Sequence, residues 1–186
     1  MKINPIGMIE KFYDPRGKAY ALLVKHGHQV ASKALEVARR VPQLNPNPDF
    51  IREAALLHDI GIFLTRSPEL GCIGRHPYVC HGYLGGEILE DMGLPNHAAV
   101  CERHVGAGLT AADIRSQGLP LPQRDMIPVN IDEKIVAYAD KFYSKLNLRA
   151  EEKPLALIID ELNRHSHAAA DRFQSWVDLF ERGNSD

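Results

Sequence analysis

The chain has 186 residues, with 22 Lys and Arg against 24 Asp and Glu and 45% apolar content, the balance of one water-soluble globular domain. A formal charge of -2 supplies no basic field of the kind that phosphate-backbone binding demands, so a nucleic acid polymer is not the expected partner. No apolar run approaches the roughly 20 residues of a membrane span, and a chain this long buries enough surface to fold without metal or disulfide staples. Glu10, Asp14 and two prolines interrupt the N-terminal stretch where a signal peptide needs an apolar run, and the three cysteines at 72, 80 and 101 lack CxxC spacing. A cytoplasmic protein with idle thiols is therefore expected.

Helical periodicity recurs along the chain and no alternating run is long enough for a sheet, which predicts an all-α fold of about six to eight helices. A first helix is expected over Gly17 to Arg40, stopped by the prolines of VPQLNPNP. Asp49 is placed as the cap of a second helix over Phe50 to Asp59, with Gly61 as its left-handed C-cap. The Gly- and Pro-rich stretch over 62–78 reads as a long loop that covers a site. A third helix is expected over Val79 to Met92. A fourth, capped by Asn96, carries VCERH, and a short fifth begins at Thr110. After a second loop over 118–130, Asp132 and Glu133 suit the N-terminus of a long helix running to Asn147. From Pro154 to Glu181 one long helix is expected, or two joined at NRHSH, whose stripe of Phe173, Trp176 and Phe180 reads as packing or as the surface of a homodimer. With no repeat or linker, residues 1–186 are read as a single domain, with its core over 20–147 and a helical extension over 151–182.

Nine histidines are the excess in the composition, and the helical wheel sorts them. With His26 at zero and about 100° per residue, Leu23, Val30, Ala34, Val37 and Val41 fall within an arc of about 80°, so His26 points inward and His28 outward. His58 follows the apolar Ala54 to Leu57 run and is itself followed by Asp59. His81 shares a face with Gly85 and Ile88, His104 with Val100 and Cys101, and Asp140 with Val136 and Tyr143. Four imidazoles and two carboxylates thus face one interior, where each adds a desolvation cost that packing alone does not return. A divalent metal is the simplest common partner, and the mixed N/O set suits iron, manganese, zinc or cobalt, with magnesium admissible and calcium not.

These residues resemble the HD superfamily of metal-dependent phosphohydrolases. The likeness rests on His26 in KHGHQVASKALEVA, the His58-Asp59 pair in AALLHDIG and Asp140 in KIVAYADKF. His81 in CHGYLGGEIL and His104 in ERHVGAGL are similar to the two extra histidines of the binuclear branches. The resemblance implies an all-α HD-type bundle in which Asp59 bridges two metal ions, with His26, His58 and Asp140 on one and His81 and His104 on the other. It implies a small phosphate ester or nucleotide as substrate, attacked in line by hydroxide generated on the ions, with His58 and Asp59 as the catalytic pair. Arg66, Arg103 and Lys141, near the ligands in sequence, are candidate substrate contacts. HVGAGLTAADI replaces the tandem histidine, glutamate and GYP block of HD-GYP proteins, which disfavours cyclic-dinucleotide hydrolysis. Three alternatives stay open: a di-iron oxygenase on the same ligands, a mononuclear hydrolase in which His81 and His104 bind substrate, and a nucleotide-binding or regulatory module without turnover.

Overall fold

The computed structural model describes residues 3–146 and 151–181. Its helices are α1 (Pro5–Ile9), α2 (Lys18–Arg40), α3 (Pro48–Leu57), α4 (His81–Asp91), α5 (Pro95–Arg103), α6 (Ala111–Ser116), α7 (Ile131–Asp140), α8 (Leu155–Asn163) and α9 (His167–Glu181). The fold is all-α. The exception among the described residues is a small antiparallel hairpin, β1 (Arg66–Ser67) and β2 (Cys72–Ile73), inside the segment expected to be loop. The expected C-terminal helix is two helices, parted near NRHSH. The end of the extension at 182 and the expected helical residue Asn147 lie outside the described residues. No described helix is long and apolar enough to cross a membrane.

The apolar stripe of α2 packs on α3 and α7, and the core they form continues into α8 and α9. Phe173, Trp176 and Phe180 are buried in that core, with Tyr138 of α7 stacked on Phe173 at 5.1 Å. The aromatic stripe therefore packs within the chain, not on a second copy. A second cluster joins Met8 and Ile9 of α1 to Leu57, Ile60 and Leu89, so the short α1, which has no strong sequence signal, is held by what it covers. The cysteines at 72, 80 and 101 are buried free thiols.

Three local expectations are corrected. The N-cap of α3 is Asn47, whose side chain accepts from the Phe50 N–H, while Asp49 sits in the first turn and pairs with Arg52; Pro48 takes the first helical position, where no N–H is needed. The same preference starts α5 at Pro95, with Leu94 at the cap, so Asn96 lies inside the helix. Gly61 is no left-handed C-cap. The chain runs on from α3 into a 3₁₀ turn over Ile60–Leu64, and the glycine is required by proximity: a Cβ there would lie 2.3 Å from His81 O and 2.5 Å from Gly85 N.

That contact places the candidate site, because it presses the turn carrying Asp59 against the start of α4. Gly85 does the same on its other side, where a Cβ would meet Cys101 Sγ of α5 at 2.5 Å. Gly61→Ala is accordingly expected to cost about 2–3 kcal/mol through backbone overpacking. Urea unfolding measures it, and a change below about 0.5 kcal/mol would show that the turn has room to spare.

Candidate metal centre

The six inward residues meet in one buried cluster. His26, His58, Asp59, His81, His104 and Asp140 are each 5% exposed or less. They come from α2, the turn after α3, α4, the end of α5 and the end of α7. The inward faces read from the helical wheel are the faces observed, and His28 is exposed.

Three of the four imidazoles are fixed by one local device. His58 and His104 are the C-caps of α3 and α5, next to carbonyls that the helix leaves without a partner. His58 Nδ1–H donates to Ala55 O at 2.7 Å, and His104 Nδ1–H donates to Cys101 O at 2.6 Å. His81, at the start of α4, donates in the same way to Tyr78 O at 2.6 Å. A carbonyl only accepts, so the proton sits on Nδ1 in each ring and every Nε2 is turned into the cluster.

The inward nitrogens are then short of partners. His81 Nε2 and His104 Nε2 lie 3.0 Å apart, so two lone pairs face each other unless a proton or cation stands between them. His58 Nε2 and both carboxylate oxygens of Asp59 are buried without a hydrogen bond of proper geometry. His26 is oriented differently, with its Nε2 2.9 Å from Asp140 Oδ1 and its Nδ1 unpartnered.

Asp59 lies between two groups of imidazoles. Its Oδ2 is 3.1 Å from His58 Nε2 and 3.5 Å from His26 Nε2. Its Oδ1 is 3.2 Å from His81 Nε2 and 3.5 Å from His104 Nε2. Asp140 Oδ1 completes the first side, 3.4 Å from His58 Nε2. Two sets have ligand atoms all within 4.8 Å of one another: His26, His58 and Asp140, and His58, Asp59 and His104. The orphaned atoms and the N/O donor chemistry fit divalent ions of the borderline class.

Charge in the cluster is distributed to match. Burial opposes ionisation of both carboxylates. Even so, His58 and Lys145 beside Asp59, and Lys141 and Lys145 beside Asp140, hold both well below the usual carboxylate range. Burial, with Lys145 adding to it, lowers His26 to about 4, and burial lowers His104 to about 3. Burial also opposes charge on His58, but Asp59 and Asp140 outweigh it and raise that ring to about 9. Charged carboxylates beside the neutral rings of His26 and His104 are the protonation states that metal ligands need, and His58 would give up a proton on taking an ion.

A cleft of about 440 Å³ opens at Asp140 and Lys145 and runs along α8, lined by Tyr78, Lys141, Lys153 and His165 among others. Of the three cations expected at substrate, Lys141 is there, its Nζ 2.7 Å from Asp140 Oδ2. The structure brings neither arginine to this cleft. Arg66 is exposed on β1 and lines a separate groove with Pro68, Ile73, Gly74 and Arg75. Arg103 reaches across to α7, donating to Glu133 at 3.1 and 2.9 Å. Its place one residue before His104 turns it about 100° away on the helix.

Two residues of the site were not read from the sequence. Lys145 places its Nζ 2.8 Å from Asp59 Oδ2, and Tyr78 stacks on His81 with ring centres 4.5 Å apart. Tyr78 stands three residues before His81, the interval at which Ala55 and Cys101 precede their histidines. Lys145 carries no comparable signal, because α7 ends at Asp140 and a turn, not a helical face, aims it.

Residues 23–144 match the family described as HD domain. An uncharacterized protein of Methanocaldococcus jannaschii is 36% identical over 121 residues, 63% of this chain and 64% of that protein. A tRNA (cytidine(56)-2'-O)-methyltransferase of Picrophilus torridus is 32% identical over 124 residues, 66% of this chain and 32% of that enzyme. One from Thermoplasma volcanium is 29% identical over 123 residues, with the same coverage of both chains. The chain thus spans less than two thirds of the length of these relatives, and one third of the two methyltransferases. Among solved structures, the HD domain of the L. monocytogenes phosphodiesterase PgpH, crystallised with cyclic-di-AMP, superposes with a TM-score of 0.53 over 98% of this chain and 97% of that one. At 16% identity this likeness shows the fold.

Proposed function

Because the chain belongs to the HD-domain superfamily of metal-dependent phosphohydrolases, we propose that it hydrolyses a small phosphate ester or nucleotide at a binuclear centre. The ligands would be His26, His58 and Asp140 on one side and His81 and His104 on the other, with Asp59 between them. The observation that carries this reading is the division of Asp59, whose Oδ2 faces His26 and His58 while its Oδ1 faces His81 and His104.

Divalent ions held there would activate a water molecule at neutral pH and offset phosphoryl charge. The protein's own part is orientation. The three Nδ1–H donors fix the orientation of each ring of His58, His81 and His104, a constraint that is worth about 10- to 100-fold in metal affinity. Lys141 holds Asp140 Oδ2, leaving Oδ1 turned toward His26 and His58. The cleft supports a phosphorylated ligand of nucleotide size, since it has about 440 Å³, three lysines and two tyrosines in its lining, within the usual range for small-molecule sites. No side-chain nucleophile is needed, so catalysis rests on positioning and charge.

The test is a panel of nucleotides and phosphate esters incubated with protein reconstituted in turn with Mn(II), Fe(II), Co(II) and Zn(II), with phosphate release and oxygen uptake followed together. Metal-dependent release of phosphate or a nucleotide product without oxygen uptake is the expected result. Oxygen consumption by the reduced iron form would assign the same ligands to an oxygenase. Nucleotide-induced thermal shifts without any product would assign them to a binding module.

A further inference from the structure

Lys145 sets its ammonium on a carboxylate oxygen that a metal ion at this centre would use. Its Nζ is 2.8 Å from Asp59 Oδ2, the oxygen that also faces His58 at 3.1 Å and His26 at 3.5 Å. The side chain is 14% exposed, and it lines the cleft together with Tyr78. A divalent ion on the same oxygen sits at about 2.0–2.2 Å, so ion and ammonium would share one corner of one carboxylate, with like charges in contact. They cannot both keep it.

The ammonium has somewhere to go. Lys145 lies on the turn after α7 and lines the cleft beside the cluster, so its four-carbon stem can rotate without moving a helix. Of the other two ammonium groups in that lining, Lys141 holds Asp140 Oδ2 and leaves Oδ1 to His26 and His58, and Lys153 holds Glu161, both at 2.7 Å. Only Lys145 would be released by metal binding.

We propose that Lys145 is a resident counter-cation of Asp59, which gives up Oδ2 when a divalent ion binds and then holds the phosphate of the substrate in the cleft. This rests on the reading of Asp59 as a metal ligand. It makes metal loading the event that creates the anion site, so that phosphate binds well only to the loaded protein.

Calorimetric titration separates the two roles. Mn²⁺ alone is titrated into metal-free wild type and Lys145→Met, and inorganic phosphate is then titrated into each Mn²⁺-loaded protein. Lys145→Gln is carried alongside, so the result does not hang on the folding of one variant. The neutral variants are expected to bind Mn²⁺ at least about tenfold more tightly, the competing charge being gone, and phosphate at least about tenfold more weakly. Equal Mn²⁺ affinity in wild type and variants would overturn the counter-cation role, and equal phosphate affinity would overturn the substrate role. Mn²⁺ bound by none of the proteins would overturn the metal reading itself, and this inference with it.

Discussion

Asp59→Asn is expected to lower hydrolysis by on the order of 10³-fold, about 4 kcal/mol of transition-state stabilisation, and to release bound metal. Asparagine has the same shape but only one acceptor oxygen, and its amide nitrogen would present N–H groups to whichever imidazoles it faced. Each oxygen of Asp59 has its own pair of imidazoles, His26 and His58 on Oδ2 and His81 and His104 on Oδ1. No orientation of asparagine therefore serves both sides. Removing the negative charge also removes the main electrostatic attraction for a divalent ion, since Asp140 alone remains and Lys141 is already on it. Steady-state kinetics beside elemental analysis of the variant checks this, and a variant that kept metal and activity would contradict a bridging role.

Loading the metal-free protein with its preferred ion is expected to raise stability by about 4 kcal/mol when the free ion is 1,000-fold above its Kd. For a chain of this length that corresponds to a rise in Tm of roughly 10 °C. The direction follows from buried atoms of the cluster that lack a hydrogen bond, among them His58 Nε2 and Asp59 Oδ1, with Asp59 Oδ2 offset by the Lys145 ammonium, and from His81 and His104, which oppose their Nε2 atoms at 3.0 Å. An ion supplies the missing partner in the folded state only. Chelator should reverse the gain, and differential scanning fluorimetry with each ion in turn measures it. A Tm that stays within about a degree for Mn(II), Fe(II), Co(II) and Zn(II) would contradict a metal centre.

The buried His and Asp cluster is legible because most of its members lie on helical faces. His26 sits in an apolar arc of α2, and His81 and His104 share faces with residues that pack α4 on α5, so a wheel drawn from periodicity points all three inward. What failed was information carried by turns and by distance in space. Two polar residues near a proline compete to cap α3, and the one before Pro48 won. Gly61 suggests a left-handed φ by its residue type, whereas its reason is the backbone of α4 lying against it.

The positions of the candidate substrate contacts are legible to a smaller degree. Adjacency in sequence puts Lys141 beside Asp140 in space, but it does not bring Arg66, which the hairpin leaves exposed, or Arg103, which Glu133 holds on another face, to the cleft. The sequence pattern carries α7 on to Asn147, and this hides Lys145. In a continued helix it would have turned about 140° from Asp140, whereas the helix ends at Asp140 and Lys145 comes back to Asp59.

The most direct test of a binuclear centre is metal content per chain by elemental mass spectrometry, on protein purified without chelator, with wild type beside His81→Ala. Within the cluster His81 Nε2 faces Asp59 Oδ1 and His104 Nε2, so its loss should empty one side and spare the other. About two equivalents in wild type, falling toward one in the variant, is the expected result. One equivalent in both proteins would contradict it, and would move His81 and His104 from the metals to the substrate.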